Sequence, residues 1–303
     1  MQRRFSSAMA NGGMMMLCMT AGLAGPALAQ GAARPANASP PALADAPPYA
    51  LEKSAVLSVT SRTGTSYALM LAWPDTPPPP SGWPVLYVLD GEDNFAMVAL
   101  AARRLARAGS RSGVAPGIVV GIAAGPLNRR VHDYTPPAPG YAIPEGMPAG
   151  GRAIGGGDAF LDMMARQVMP LVRRSLPVDQ SREALLGHSF GGLIALHAAL
   201  ARPGMFDHVV AVSPSLWFGN GLIAREAADA RGLSADVLLA VGSEERAQDA
   251  SPDAGAALLA RLRALAPERH VERIVLAGQG HGNTMAAALG DAIGFAFRRE
   301  RAR

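Results

Sequence analysis

The chain has 303 residues, 49% of them hydrophobic, a single cysteine and a formal net charge of +4. That length suits one sizeable core better than two domains. Arginine is spread along the chain rather than clustered, which excludes a basic nucleic-acid-binding arm, and a lone cysteine excludes an internal disulfide.

In chain order, a basic start (Met1-Gln2-Arg3-Arg4) precedes an apolar run from Met14 to Leu23 and a small-residue end, Ala27-Leu28-Ala29. This pattern predicts a secretory signal peptide over residues 1–29, cleaved after Ala29. The apolar run is too short and glycine-rich to span a bilayer comfortably, so the mature chain is expected to be periplasmic or secreted, without stable membrane insertion. Cys18 lies in this segment, and Met15-Met16-Leu17 before it lacks the small residue of a lipidation signal. The mature chain then carries no thiol. Residues 30–48, mostly Ala, Pro, Asn and Gly, read as a disordered linker, and the folded domain is expected over 49–303.

Ser54–Ser61 and Ser66–Trp73 alternate around a turn at residues 62–65 and predict a β-hairpin. Pro77–Pro80 cannot join a sheet and must be a surface connection. The pattern then changes to continuous apolar runs, at Val85–Leu89, Ile118–Ile122, Ala184–Leu186, Val209–Val212, Val237–Val241 and Ile274–Leu276. Such runs belong to strands covered on both faces. Three/four spacing predicts helices through 160–172, 193–200, 256–265 and 284–297. The expectation is an α/β fold: a doubly wound, mostly parallel sheet with an N-terminal antiparallel hairpin.

Gly187-His188-Ser189-Phe190-Gly191 fits G-x-S-x-G. A chain of this composition yields roughly 0.2 such matches by chance, so the pattern alone is weak. Its setting is stronger, because an apolar strand runs in and a helix-forming stretch runs out. That is the nucleophile elbow of the α/β-hydrolase fold, with glycines expected at 187 and 191 because a side chain there would collide with the turn. A serine hydroxyl needs a neighbouring base. Among the six histidines, His281 stands out, glycine-flanked directly after the last strand. His132 is placed in a polar loop, His188 inside the elbow with its ring turned away from the base, and His197, His208 and His270 in ordinary structural positions. The acid is expected after the strand ending at Val241, where Glu245 fits best and Glu244 and Asp249 remain alternatives. The order Ser189, Glu245, His281 is that of α/β hydrolases. Backbone N–H groups of Phe190 and Glu92 are the candidate oxyanion hole. No Cys/His cluster, phosphate loop or dinucleotide fingerprint is present, so neither a metal nor a cofactor is expected.

With these residues in view, the chain resembles the esterase-D-like α/β hydrolases, particularly the branch of enterobactin and bacillibactin (siderophore) esterases. The resemblance covers about residues 50–300. It rests on Tyr87-Val88-Leu89-Asp90-Gly91, Arg130-Val131-His132-Asp133-Tyr134-Thr135-Pro136 and Gly155-Gly156-Gly157 with Phe160-Leu161 and Pro170. Gly187 to Gly192, Ser213-Pro214-Ser215-Leu216-Trp217 and Gly242-Ser243-Glu244-Glu245 complete it. It implies hydrolysis of a small-molecule ester through an acyl-enzyme, in that branch of a catecholate trilactone. Arg130 would contact an anionic substrate or form a salt bridge to Asp133, and Trp217 would stack on a substrate ring or pack beneath the pocket. A generic carboxylesterase, an acyltransferase and a non-catalytic binding module are the alternatives.

Overall fold

Apolar runs that no solvent-facing strand could carry are gathered into one eight-stranded sheet, in the computed structural model, in the order β1-β2-β4-β3-β5-β6-β7-β8. The structure describes residues 46–147, 149–245 and 252–299; the expected signal peptide and nearly all of the expected linker lie outside them. Antiparallel β1 (Ser54–Thr60) and β2 (Ser66–Ala72) form the hairpin, and β2 also runs antiparallel to β4. The remaining strands pair in parallel: β3 (Trp83–Leu89), β4 (Ile118–Ile122), β5 (Val178–His188), β6 (His208–Val212), β7 (Asp236–Gly242) and β8 (Val271–Leu276).

Side chains alternate along each strand, so the sheet faces two cores. Leu86, Val88, Leu186, Val210 and Leu238 meet α1 (Gly91–Arg107) and the C-terminal helices Thr284–Ala287 and Leu289–Ala296. Val85, Tyr87, Leu185, Val209 and Val237 meet α2 (Leu127–Asp133), α3 (Gly157–Met163), α4 (Met169–Ser175), α5 (Phe190–Ala201), α6 (Phe218–Asp229) and α7 (Pro252–Leu265). None of the described helices is long and apolar enough to cross a membrane.

Several elements differ from the sequence reading. Residues 91–95 begin the 17-residue α1 rather than a loop, and Arg130–Asp133 lies on α2 rather than in one. Helix α6 escaped because Gly219, Asn220 and Gly221 adopt left-handed conformations that break its periodicity. The helix expected over 160–172 passes through a π-turn at Met164–Val168. Pro170, which cannot donate to the carbonyl four residues back, follows that turn. Strand β5 extends well before Ala184 because its polar start, Asp179-Gln180-Ser181-Arg182, hides it.

The chain leaves β3 toward β4 on one side and leaves β5 toward β6 on the other. The carboxyl ends of β3 and β5 therefore form a switch point, where adjacent connections diverge and open a crevice.

Candidate active site

Ser189 sits at that switch point, between β5 and α5, with φ 59° and ψ −117°. A left-handed φ on a serine costs on the order of 1–3 kcal/mol and persists only where surroundings impose it. Here Ser189 N–H donates to Val212 O at 3.0 Å, while its carbonyl accepts from Leu193 N–H at 2.9 Å and Ser215 N–H at 3.2 Å. The turn is so tight that a Cβ on Gly187 would stand 2.1 Å from the Gly191 carbonyl oxygen. The expectation for Gly191 is corrected: a Cβ there would meet Leu89 at 3.5 Å, an ordinary contact. The crowding falls on Gly187, and more mildly on Gly192, where Pro214 would be 3.1 Å away.

His281 follows β8 and brings Nε2 to 3.1 Å from Ser189 Oγ. Its carbonyl accepts the Thr284 hydroxyl at 3.0 Å. Ser215 Oγ lies 3.3 Å from Ser189 Oγ on the other side.

Glu245 follows β7, with its side chain only 1% exposed. Oε1 accepts from Ser213 Oγ at 2.5 Å and from Gly242 N–H at 2.6 Å. Oε2 faces His281 Nδ1 at 3.8 Å, and both atoms are buried without another partner. Burial pushes this carboxyl up, but His281, the Ser213 hydroxyl and Gly242 N–H outweigh it and hold the group below its ordinary value. Ser213, itself at φ 44° and fully buried, also touches Thr284 Oγ1 at 2.6 Å, so one hydroxyl pair joins the Glu245 loop to the His281 loop. Sequence reasoning gave Ser213 and Thr284 no role, although Ser213 opens a motif it had noticed. Glu244 is exposed, and Asp249 lies outside the described residues.

The first-turn amides of α1 and α5 open onto the same edge. Among the described residues, neither Glu92 N–H nor Phe190 N–H has a protein partner. The Glu92 carboxylate is engaged elsewhere, accepting from Ala124 N–H at 2.9 Å and Gly125 N–H at 2.7 Å.

Arg130 forms a salt bridge, but not with Asp133. Its guanidinium grips Asp90 by two bonds, Nε to Oδ1 at 2.6 Å and NH2 to Oδ2 at 2.8 Å. Asp133 instead accepts from Tyr67 OH at 2.7 Å and pairs with His132 Nδ1 at 3.0 Å. Burial pushes the Asp90 carboxyl up, and Arg130 only partly offsets it. Trp217 is half-buried, edge-on to Phe190 at 5.7 Å between ring centroids.

His188 also departs from expectation. Its ring is not turned away but packs on the His281 ring at 4.8 Å, with Nε2 2.9 Å from the His281 carbonyl oxygen. Burial, then the neighbouring His281, push His188 down to about 4.

Comparison with known proteins agrees with this fold. The family model described as "Putative esterase" matches residues 60–288. Ferri-bacillibactin esterase BesA of Bacillus subtilis is 30% identical over 246 residues, covering 77% of this chain and 85% of that protein. The siderophore triacetylfusarinine C esterase of Aspergillus fumigatus is 36% identical over 192 residues, 59% of this chain and 62% of that protein. Among solved structures, siderophore hydrolase EstB from Aspergillus nidulans superposes with a TM-score of 0.68 at 28% identity, covering 84% of this chain and 98% of that one.

Proposed function

The chain belongs to the "Putative esterase" family and is an α/β-hydrolase acting on carboxylic esters; from that premise we propose that it cleaves the ester bonds of a siderophore through an acyl-enzyme on Ser189. The contact that carries the mechanism is the 3.1 Å approach of His281 Nε2 to Ser189 Oγ at the strained elbow. The substrate reading is supported by relatives whose names specify ferri-bacillibactin and triacetylfusarinine C. Residues 1–29 act as the export signal in this proposal, so hydrolysis takes place in the periplasm or outside the cell.

Ser189 Oγ attacks the ester carbonyl carbon as His281 Nε2 takes its proton. The productive imidazole carries its other proton on Nδ1, facing Glu245 Oε2, and the imidazolium that forms is stabilised by that carboxylate. Phe190 and Glu92 N–H groups receive the oxyanion, where donors fixed in advance cost no reorganisation. The intermediate expels the alcohol, which takes the proton back from His281. Water, deprotonated by the same nitrogen, then attacks the acyl-enzyme and releases the acid and Ser189.

The test compares Ser189→Ala with the unaltered mature chain on p-nitrophenyl acetate, a catecholate trilactone and a feruloyl ester. The expected result is turnover of all three by the unaltered chain, highest kcat/KM on the trilactone, and loss of all three in the variant with an unchanged thermal midpoint. Retained turnover in the variant refutes the nucleophile, and a preference for the simple esters refutes the substrate.

A further inference from the structure

The base, the nucleophile and the oxyanion segment hang on different strands, yet a short run of polar contacts joins them. Asp90 directly precedes the α1 amides, at φ 53°. Its carboxylate grips Arg130, and Arg130 NH2 also reaches the carbonyl oxygen of His188 at 3.3 Å. His188, one residue before Ser189, spans to the carbonyl of His281 at 2.9 Å. A carbonyl can only accept, so His188 Nε2 carries a proton and donates it. A neutral ring suffices, and the low proton affinity of His188 keeps it neutral beside His281.

This matters because the loop is anchored before His281, where Gly278 N–H donates to Ser243 Oγ at 2.8 Å and Glu244 N–H to the Gln279 carbonyl at 3.0 Å, whereas His281 itself is held by fewer contacts. Glycines flank the residue on both sides, and the Glu245 carboxylate, at 3.8 Å, makes no hydrogen bond to the ring. What holds the backbone of the base is its carbonyl, taken by Thr284 from one side and His188 from the other. We propose that His188 is a positioning residue that locks the His281 loop to the nucleophile elbow, and that Arg130, tied to Asp90, sets His188 rather than contacting the substrate's charge. The proposal rests on His281 being the base in the mechanism above.

The experiment is a double-mutant cycle on the mature chain with neutral p-nitrophenyl acetate, using His188→Ala, His188→Gln, Arg130→Lys and the combination of His188→Ala with Arg130→Lys. Glutamine sets its Nε2 as many bonds from Cβ as histidine does and can donate to the same carbonyl. An ångström of misplacement costs about a hundredfold in rate, so His188→Ala should lower kcat by roughly 10- to 100-fold with KM changed less than about threefold. His188→Gln should recover most of that loss at an unchanged thermal midpoint. Arg130→Lys keeps the charge beside Asp90 but loses the fork, and should lower kcat about fivefold, an effect largely absent once His188 is alanine, as for residues in one network. Equal kcat in His188→Ala and the parent, equal losses in the Ala and Gln variants, or losses that simply multiply would each overturn the positioning role. His281→Ala, measured alongside, should abolish turnover. Survival of activity there refutes the base itself, whereas a normal His188→Ala in an enzyme that needs His281 refutes only the positioning role.

Discussion

Glu245→Gln tests how the acid works. Its carboxylate makes no hydrogen bond to His281, yet it stands 3.8 Å from Nδ1 with a side chain 1% exposed, against 29% for the histidine. Glutamine retains an acceptor for the Ser213 hydroxyl and Gly242 N–H, so the loop should keep its place while the charge is lost. For unit charges at that separation, the attraction is about 4 kcal/mol at an effective dielectric of about 20 and about 1 kcal/mol in bulk water. At ~1.4 kcal/mol per tenfold, those limits correspond to roughly a thousandfold and a fivefold loss of kcat. The burial of the acid and the partial exposure of the base place the expected loss near a hundredfold. Steady-state hydrolysis of p-nitrophenyl acetate measures it, with a thermal melt to show that the variant is folded. A folded Glu245→Gln enzyme within about threefold of the parent would refute the electrostatic role and leave Glu245 as a brace for Ser213 and the turn after β7.

Two further outcomes can be read on stability. Gly187→Ala should not accumulate as folded protein, since its Cβ would meet the Gly191 carbonyl at 2.1 Å, whereas Gly191→Ala, with nothing closer than 3.5 Å, should melt within a few degrees of the parent; equal behaviour in a melting comparison would contradict the steric reading. His188 has its proton affinity lowered from 6.5 to about 4 on folding. The unfolded chain therefore takes up a proton there as pH falls from about 6.5 to about 4 while the folded chain does not, so the fold loses stability over that window, by roughly 2–3 kcal/mol. Beside His281, Arg130 and Glu245, His188→Gln should lack this component, so urea unfolding at pH 7 and pH 4.5 should show a smaller acid loss than in the parent; parallel losses would refute it.

The strands were legible because their chemistry is local. A run such as Val85 to Leu89 has no polar side to turn to water, and only a doubly covered sheet accepts it. Ser189 and His281 were legible because each interrupts such a run with glycine and a reactive side chain. Helices α1 and α2 were not: their sequences open on Asp90-Gly91 and Pro126, which read as turns, and that reading masked the three/four stripe of Phe95, Val98, Ala99 and Ala102 in α1, while α2 has only seven residues. The mispairing of Arg130 has a different origin. Asp133 is near in sequence and at a spacing that allows a helical pair, but its carboxylate is taken by Tyr67 OH and His132 Nδ1, while Asp90, 40 residues away at the end of the neighbouring strand β3, meets Arg130 with both oxygens. For His188 the sequence shows only that it precedes the nucleophile; the direction of its ring is set by where β8 delivers His281.

The strain in the molecule points to the same edge. Six non-glycine residues among those described have positive φ, and three of them, Asp90, Ser189 and Ser213, are the first residues past the carboxyl ends of β3, β5 and β6, which are consecutive in the sheet. Each costs on the order of 1–3 kcal/mol. Each also does something that a relaxed backbone would not. Asp90 turns its carboxylate to Arg130 and leads into the α1 amides, Ser189 lifts its hydroxyl to His281, and Ser213 bridges Glu245 to Thr284. A sheet that only needed stability would end these strands in glycine or an ordinary turn. Strain on three adjacent strand ends, where Asp90 meets Arg130, Ser189 meets His281 and Ser213 meets Glu245, is what the proposed site, assembled from separate strands, requires, because relaxation of any one would move its part relative to the others.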